Sequence, residues 1–196
     1  MLHDAYEFEK TRLVVQEMAD SLALDLLDKR LVTNQIVLTV GYDISNLTDT
    51  EKHREYCGEI TTDRYGRMVP KHAHGTANLK EYTSSANLLR AATIALFERI
   101  ANKSLLVRRL TLSANNVVEE ERSQVPARIE QLSLLKSILS QEKNEEQVVL
   151  QRERRRQQAV LDIRNRYGKN AILKGMSFQD GATAMERNRQ IGGHKA

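Results

Sequence analysis

Near residue 110, one guanidinium group and two hydroxyl groups occupy three alternate positions of the sequence. The segment 106–113 alternates leucines with mostly polar side chains: Leu106, Leu110 and Leu112 with Val107, Arg109, Thr111 and Ser113. This alternation predicts a half-buried strand whose leucines pack on helices while the polar side chains point the other way. Arginine and hydroxyl groups suit the oxygens of phosphates. A solvated sheet face without a ligand is the alternative, and this strand alone favours it.

Hydrophobic periodicity predicts two helices that would support this strand. The first is expected to begin after Asp4, with Asp4 as N-cap and Glu7 at the capping-box position. The second is expected to begin after Ser84 or Ser85. Apolar residues recur at helical spacing in both: Phe8, Val15, Met18, Leu22 and Leu26 in the first, and Leu89, Ala92, Leu96 and Ile100 in the second.

Alternation also predicts two further strands, at 36–41 and 75–79. Thr39 lies in the first of them, and Thr76 and Asn78 lie in the second. The polar stretch 43–68 between them is too long for a simple turn, so we expect a functional loop or an ordered insertion. The order helix, strand, strand, helix, strand predicts an α+β fold, with two helices on one face of an antiparallel sheet and the other face open.

Charge and composition restrict the class of protein. Residues 151–196 hold 11 Lys and Arg against 4 Asp and Glu, so the basic character lies in the tail and suits a polyanionic partner. The single cysteine, Cys57, excludes an intrachain disulfide and fits a reducing compartment. No apolar run approaches the ~20 residues that cross a bilayer, so we expect a cytoplasmic protein without membrane contact.

Three parts are predicted along the chain. Residues 1–118 form the α+β domain, residues 119–141 a linker, and residues 142–196 a charged helix with a basic, partly flexible tail. An acidic run and Pro126 mark the linker. The charged helix is expected from about Glu142 to Tyr167, with Val160, Ile163 and Tyr167 as a narrow apolar stripe and Gly168 as its stop.

Several motifs resemble those of Y-family translesion DNA polymerases. His-Gly-Thr-Ala-Asn-Leu at 74–79, Tyr-Thr-Ser-Ser at 82–85 and Leu-Val-Arg-Arg-Leu-Thr-Leu at 106–112 are similar to the little-finger domain of that family. The tail motifs at 167–175 and 186–196 resemble the C-terminus of UmuC-like (ImpB/MucB/SamB-type) polymerases of Gram-positive bacteria and their phages. The resemblance covers nearly the whole chain.

The resemblance implies a sheet that grips the backbone of primer-template DNA near a lesion, in SOS-type damage tolerance by an error-prone polymerase. Carried over by position, the side chains that would face DNA are Thr39, Thr76, Asn78, Arg109, Thr111 and Ser113. Backbone contacts position a protein without reading sequence, which lesion tolerance requires.

No set of carboxylates for a polymerase's two metal ions is evident, so we expect the chain not to be an enzyme by itself and to carry no cofactor. Palm, fingers, thumb and the first strand of the sheet would precede Met1. Mg²⁺ would belong to that palm, and the catalytic half would be a partner. His53, His72, His74 and Cys57 match no common zinc-ligand spacing, so no metal site is predicted.

A second partner is suggested by a short peptide in the linker. The residues are Gln131, Leu132, Ser133, Leu134 and Leu135. They resemble the Gln-Leu-x-Leu-Phe type peptide by which bacterial polymerases bind the sliding clamp, with leucines as anchors in an apolar pocket. The same leucines could instead begin the next helix. The alternative function is a standalone regulatory or scaffold protein that binds partners through the tail and this peptide.

Overall fold

The computed structural model describes residues 2–49, 56–63, 65–123, 136–191 and 194–195. Its helices are α1 (Phe8–Asp28), α2 (Ser45–Thr48), α3 (Ala86–Ile100), α4 (Glu120–Ser123), α5 (Lys136–Tyr167) and α6 (Ala184–Asn188), with a 3-10 turn at Gly175–Phe178. Its strands are β1 (Leu31–Tyr42), β2 (Ile60–Thr62), β3 (Met68–Pro70), β4 (Ala73–Thr83), β5 (Val107–Asn115), β6 (Val118–Glu119), β7 (Gln190–Ile191) and β8 (His194–Lys195). The predicted α+β fold is confirmed.

The main sheet is antiparallel and has β1 at its centre. Its strand order is β4-β1-β5, and β6 pairs with the first residues of β1. The side chains of β1 alternate because only one face of the sheet is covered: Ile36, Leu38 and Val40 are fully buried. The predicted insertion at 43–68 contains α2, β2 and only the first residue of β3, which pairs with β2 in a hairpin.

Helices α1 and α3 cover the apolar face of this sheet. Val15 of α1 and Leu96 of α3 pack against Leu38 and Val40 in one core cluster. Phe97 of α3 stacks on Phe8 of α1, with 4.8 Å between the ring centroids. Ser85 is the N-cap of α3, and its hydroxyl accepts a hydrogen bond from the Leu88 amide at 3.3 Å. The prediction of two helices on one sheet face is confirmed.

Gly75 explains why helix and sheet approach each other so closely. A Cβ atom at Gly75 would lie 2.8 Å from Cγ2 of Ile100 and 2.9 Å from Cδ1 of Leu96. Those distances are shorter than ordinary carbon contacts, so a larger residue at 75 would push α3 away from β4. The glycine of the motif at 74–79 therefore serves packing.

Two sequence predictions at the start of the chain and of β5 were wrong. Helix α1 begins at Phe8 with Glu7 as its N-cap, because the preceding residues are bound to β5: Tyr6 and Val107 exchange two backbone hydrogen bonds of 2.9 and 2.8 Å. Asp4 therefore caps no helix. Val107 does not share the polar face with Arg109; it is only 1% exposed, because the register shifts between Gly41 and Tyr42.

Helix α5 is docked on the domain by polar side chains rather than by the predicted apolar stripe. Glu153 and Gln157 are buried together with Leu161, whereas Tyr167 is largely exposed. Gln157 donates to the Ser84 carbonyl at 3.1 Å, and Arg154 forms a bidentate pair with Glu120. Hydrogen bonds from Arg154 hold the pKa of the Glu120 carboxyl below its usual value.

The segment after α5 folds back onto α1. The backbone amide and hydroxyl of Thr183 donate to Oε2 of the buried Glu17 at 2.8 and 3.2 Å. Lys174 pairs with Asp20 at 2.7 Å. In the part of the chain that the structure describes, no helix is long and apolar enough to cross a membrane.

Candidate nucleic-acid interface

All six side chains predicted to contact DNA lie on the open face of the sheet. Across β1, Thr39 pairs with Thr111, while Val37 pairs with both Thr76 and Ser113. Gly41 pairs with Arg109, and Gln35 with Asn78. Directly paired residues of antiparallel strands place their side chains on the same face. The structure therefore brings together Thr39, Thr76, Asn78, Arg109, Thr111 and Ser113.

Hydrogen bonds between neighbouring strands order this face. Thr39 Oγ1 lies 2.9 Å from His74 Nδ1. Gln35 Nε2 donates to Asn78 Oδ1 at 2.8 Å, and Asn115 Nδ2 donates to Gln35 Oε1 at 3.3 Å. The sequence analysis missed Gln35, His74 and Asn115, although extending the same alternation by one step along each strand would have found them. The result is a polar surface across three strands, interrupted on β1 by Val37.

Arg109 is a charged side chain on this face that is available to a ligand. Its side chain is exposed, and it forms no ion pair or hydrogen bond with any residue that the structure describes. Its neighbour Arg108 instead approaches Asp43, with 3.8 Å between Nε and Oδ2. A Cβ at Gly41 would lie 3.2 Å from Cβ of Arg109, so the glycine makes room for the arginine beside the central strand.

The β2–β3 hairpin stands beside the open face and forms a groove with it. The groove encloses about 550 Å³. Its sheet wall contains Thr39, Gly41, Arg109 and Thr111, and its other wall contains Thr61, Thr62, Asp63, Arg67 and His72. Hydrogen bonds from Arg67 lower the pKa of Asp63, and the same bonds raise the pKa of Arg67, so both groups stay charged near neutral pH.

A buried amide fixes the end of the sheet where this groove lies. Asn46 is 0% exposed, and its Nδ2 donates to the carbonyl oxygens of Asp43 at 2.8 Å and Leu106 at 2.9 Å. Its Oδ1 accepts from the Leu106 amide at 2.8 Å. The chain leaving β1 is thereby joined to the chain entering β5. No sequence signal distinguished Asn46 from the other polar residues of the insertion.

Comparison with protein families gives a match over most of the chain. Residues 2–134 match the impB/mucB/samB family C-terminal domain. The chain belongs to the impB/mucB/samB family. Searches of curated proteins and of solved structures gave no match. The predicted resemblance to the C-terminal part of UmuC-like Y-family polymerases is confirmed, and the family identifies a C-terminal module of a translesion DNA polymerase.

The predicted clamp peptide lies outside the described residues of this impB/mucB/samB protein. Its members are Gln131, Leu132, Ser133, Leu134 and Leu135. The family match ends at residue 134, so the peptide lies at its boundary. Among the described residues, no three His, Cys, Asp or Glu side chains are grouped so that they could hold a metal ion.

The basic residues of α5 do not extend the open face. The helix packs on α1 and near the start of α3, which belong to the helical layer of the impB/mucB/samB domain. Arg156 faces a cleft that is also lined by Asp20 of α1, while Arg152 and Arg155 are exposed. The open sheet face and the basic helix therefore occupy different sides of the molecule.

Proposed function

We propose that the open sheet face binds the sugar-phosphate backbone of primer-template DNA, as the DNA-binding module of an error-prone translesion polymerase. The observation that carries this proposal is the placement of Arg109, without an ionic partner among the described residues, beside the hydroxyl groups of Thr39, Thr111 and Ser113. Guanidinium and hydroxyl groups donate hydrogen bonds to phosphate oxygens and read no bases. Such a face tolerates a damaged template.

The protein acts, in this proposal, in DNA repair during an SOS-type response in the cytoplasm. Catalysis and its Mg²⁺ ions belong to a palm domain, because the sequence offers no recognisable pair of metal-binding carboxylates. In this proposal the chain holds and positions the DNA, and the palm domain catalyses the reaction.

Arg109→Ala should weaken binding of a short duplex roughly tenfold at low salt, because one charge-assisted hydrogen bond to phosphate is lost. Loss of one phosphate contact should also make the salt dependence shallower by about one unit. Fluorescence anisotropy of a labelled duplex over a salt series measures both. Arg12→Ala is the matched control, because Arg12 pairs with Glu98 on the helical layer. If both variants weakened DNA binding equally, the loss of net charge alone would explain the effect. That result would contradict the proposal.

We further propose that residues 131–135 bind the bacterial sliding clamp. The support is the sequence pattern of the peptide and its position at the edge of the family match. Gln131→Ala and Leu134→Ala should each reduce clamp binding, whereas Ser133→Ala should matter little because anchor residues carry most of the energy in such peptides.

A free peptide of residues 128–137 should compete with micromolar affinity, near about −8 kcal/mol. Titration calorimetry of this peptide against a purified clamp measures the affinity. No heat and no displacement at hundreds of micromolar peptide would end this proposal. Together with absence of DNA binding, that result would favour the standalone scaffold function instead.

A further inference from the structure

A cleft of about 330 Å³ lies between the helical layer and the segment that folds back after α5. Helix α1 contributes Asp20 and Leu24 to its walls, α5 contributes Val160 and Arg164, and the returning segment contributes Arg187. The volume is at the lower end of the range of pockets that hold small ligands. Because the walls come from both ends of the chain, a ligand in this cleft would contact α1, α5 and the returning segment at once.

Arg187 is a cleft residue whose hydrogen-bonding capacity is unused. Its side chain is only 31% exposed, and it makes no hydrogen bond to any residue that the structure describes. Its Nη2 lies 3.6 Å from Oε2 of Glu17, which is too long for a hydrogen bond, and that oxygen already accepts twice from Thr183. Loss of hydration lowers the pKa of Arg187, and Glu17 only partly opposes that shift. A guanidinium in this state is costly unless an acceptor reaches it.

The carboxylates that line the cleft are not open to a ligand. Oε1 of Glu17 and both carboxylate oxygens of Asp20 are covered by surrounding atoms, and Lys174 lies 2.7 Å from Oδ2 of Asp20. Glu153 is buried, and both its oxygens accept hydrogen bonds from the start of α3. Arg156, by contrast, is exposed at the cleft. Of the described residues that line the cleft, four are cationic and three are acidic, so an anion is favoured.

The remaining lining residues indicate the kind of anion. Nε and Nη2 of Arg164 make only long contacts, of 3.4 and 3.3 Å, with the Ile172 carbonyl, and loss of hydration lowers the pKa of Arg164. Two guanidinium groups with spare donors suit a doubly charged phosphate better than a singly charged carboxylate. Leu24 and Val160 line the same space, so an apolar group beside the phosphate would also find contacts.

We propose that this cleft binds a small phosphate monoester, with the phosphate at Arg187 and Arg164 and an apolar body against Leu24 and Val160. The inference goes beyond the proposed DNA-binding function and does not depend on it, because the cleft belongs to the helical layer and the open sheet face lies on the other side. A bound ligand would fasten the returning segment to α1. It should therefore raise the stability of the protein.

The test uses the full chain and phenyl phosphate, which combines a phosphate monoester with a flat apolar ring. Titration calorimetry in a phosphate-free buffer should give a Kd of about 1 mM or lower, and thermal unfolding should shift upward with ligand concentration. Inorganic phosphate and phenol each carry one half of the probe, and each should bind roughly tenfold more weakly or worse. Benzoate carries a carboxylate on the same ring and should also bind more weakly.

Arg187→Gln should weaken binding of phenyl phosphate roughly tenfold, because it removes the charge-assisted hydrogen bonds to the phosphate. Arg189→Gln is the matched control, since Arg189 is exposed two positions along the chain and does not line the cleft. Arg156→Gln is a second variant whose folding is not at risk, because Arg156 is exposed. It should weaken binding about threefold through the loss of one nearby charge. Circular dichroism checks that each variant is folded.

Absence of binding by the wild type at about ten times the expected Kd would overturn the inference, and so would a folded Arg187→Gln protein that binds like the wild type. If Arg187→Gln does not fold, unchanged affinity in Arg156→Gln overturns it instead. Benzoate that binds as tightly as phenyl phosphate would overturn the choice of a phosphate. Displacement of phenyl phosphate by duplex DNA would make the cleft part of a DNA-binding surface and overturn it as a small-ligand site. The effect of Arg109→Ala on duplex binding tests the proposed function separately.

Discussion

Replacing Glu153 by alanine should lower the free energy of unfolding by about 3 kcal/mol, because the buried Ser85 hydroxyl and the partly buried Asn87 amide would lose their acceptor. Glu153 is 5% exposed; its Oε2 accepts from the Ser85 hydroxyl at 2.7 Å and its Oε1 from the Asn87 amide at 2.8 Å. The amides at the start of a helix have no partner within the helix, and the helix dipole favours a negative charge there. Glu153 thus caps α3 from a distant part of the chain.

Urea unfolding followed by circular dichroism measures this effect. Glu153→Gln keeps an acceptor but removes the charge, so it should be less destabilising than alanine. Arg152→Ala changes the exposed neighbour on α5 and should have little effect. A loss below about 0.5 kcal/mol for Glu153→Ala, the size typical of surface substitutions, would mean that α5 does not rest on α3 in solution.

Asn46→Ala should be about as destabilising, near 3 kcal/mol, and should also weaken DNA binding. The substitution removes three hydrogen bonds and leaves the Leu106 amide without an acceptor. The carbonyl oxygens of Asp43 and Leu106 each keep one backbone donor, so the unpaired amide accounts for the larger part of the effect. Arg109 lies three residues beyond this junction, and a looser junction leaves its guanidinium less well positioned.

The neighbouring residue supplies a matched control for this prediction. The hydroxyl of Ser45 is buried and has no hydrogen-bond partner among the described residues, so Ser45→Ala should leave the stability nearly unchanged. Asn46→Asp keeps an acceptor for the Leu106 amide but places a buried carboxylate oxygen against the carbonyl oxygens of Asp43 and Leu106, so it should be at least as destabilising as alanine. Thermal unfolding and duplex anisotropy on the same samples test stability and binding together. An Asn46→Ala protein as stable as Ser45→Ala would contradict the role assigned to Asn46.

Local pattern was enough to predict the sheet and its open face. Each of β1, β4 and β5 has one covered and one uncovered face, so burial imposes a period of two that is visible in the sequence. Thr39, Thr76 and Arg109 could be assigned to one face on that basis, and the register agrees. The break in period at Val107 could not be predicted, because it arises from a register shift against the partner strand.

Other features were missed because they depend on residues far apart in sequence. Glu153 and Gln157 lie in a helix of charged and amide residues, and nothing local marks them as buried; their partners are 66 to 73 positions away. Asp4 has the composition of a cap, yet the segment around it pairs with β5 instead. The β2–β3 hairpin was expected only as a functional loop or an ordered insertion, since its strands are three residues long and show little alternation.

Gly41 has a consequence for how this surface could change over evolutionary time. The Cβ that it lacks would lie 3.2 Å from Cβ of Arg109 on the neighbouring strand. A side chain at 41 would require Arg109 or its strand to shift slightly, without altering the residue that carries the charge. Natural variation at this one position could therefore adjust how far the positive charge reaches above the sheet. The covered face, where the helices pack, would be untouched.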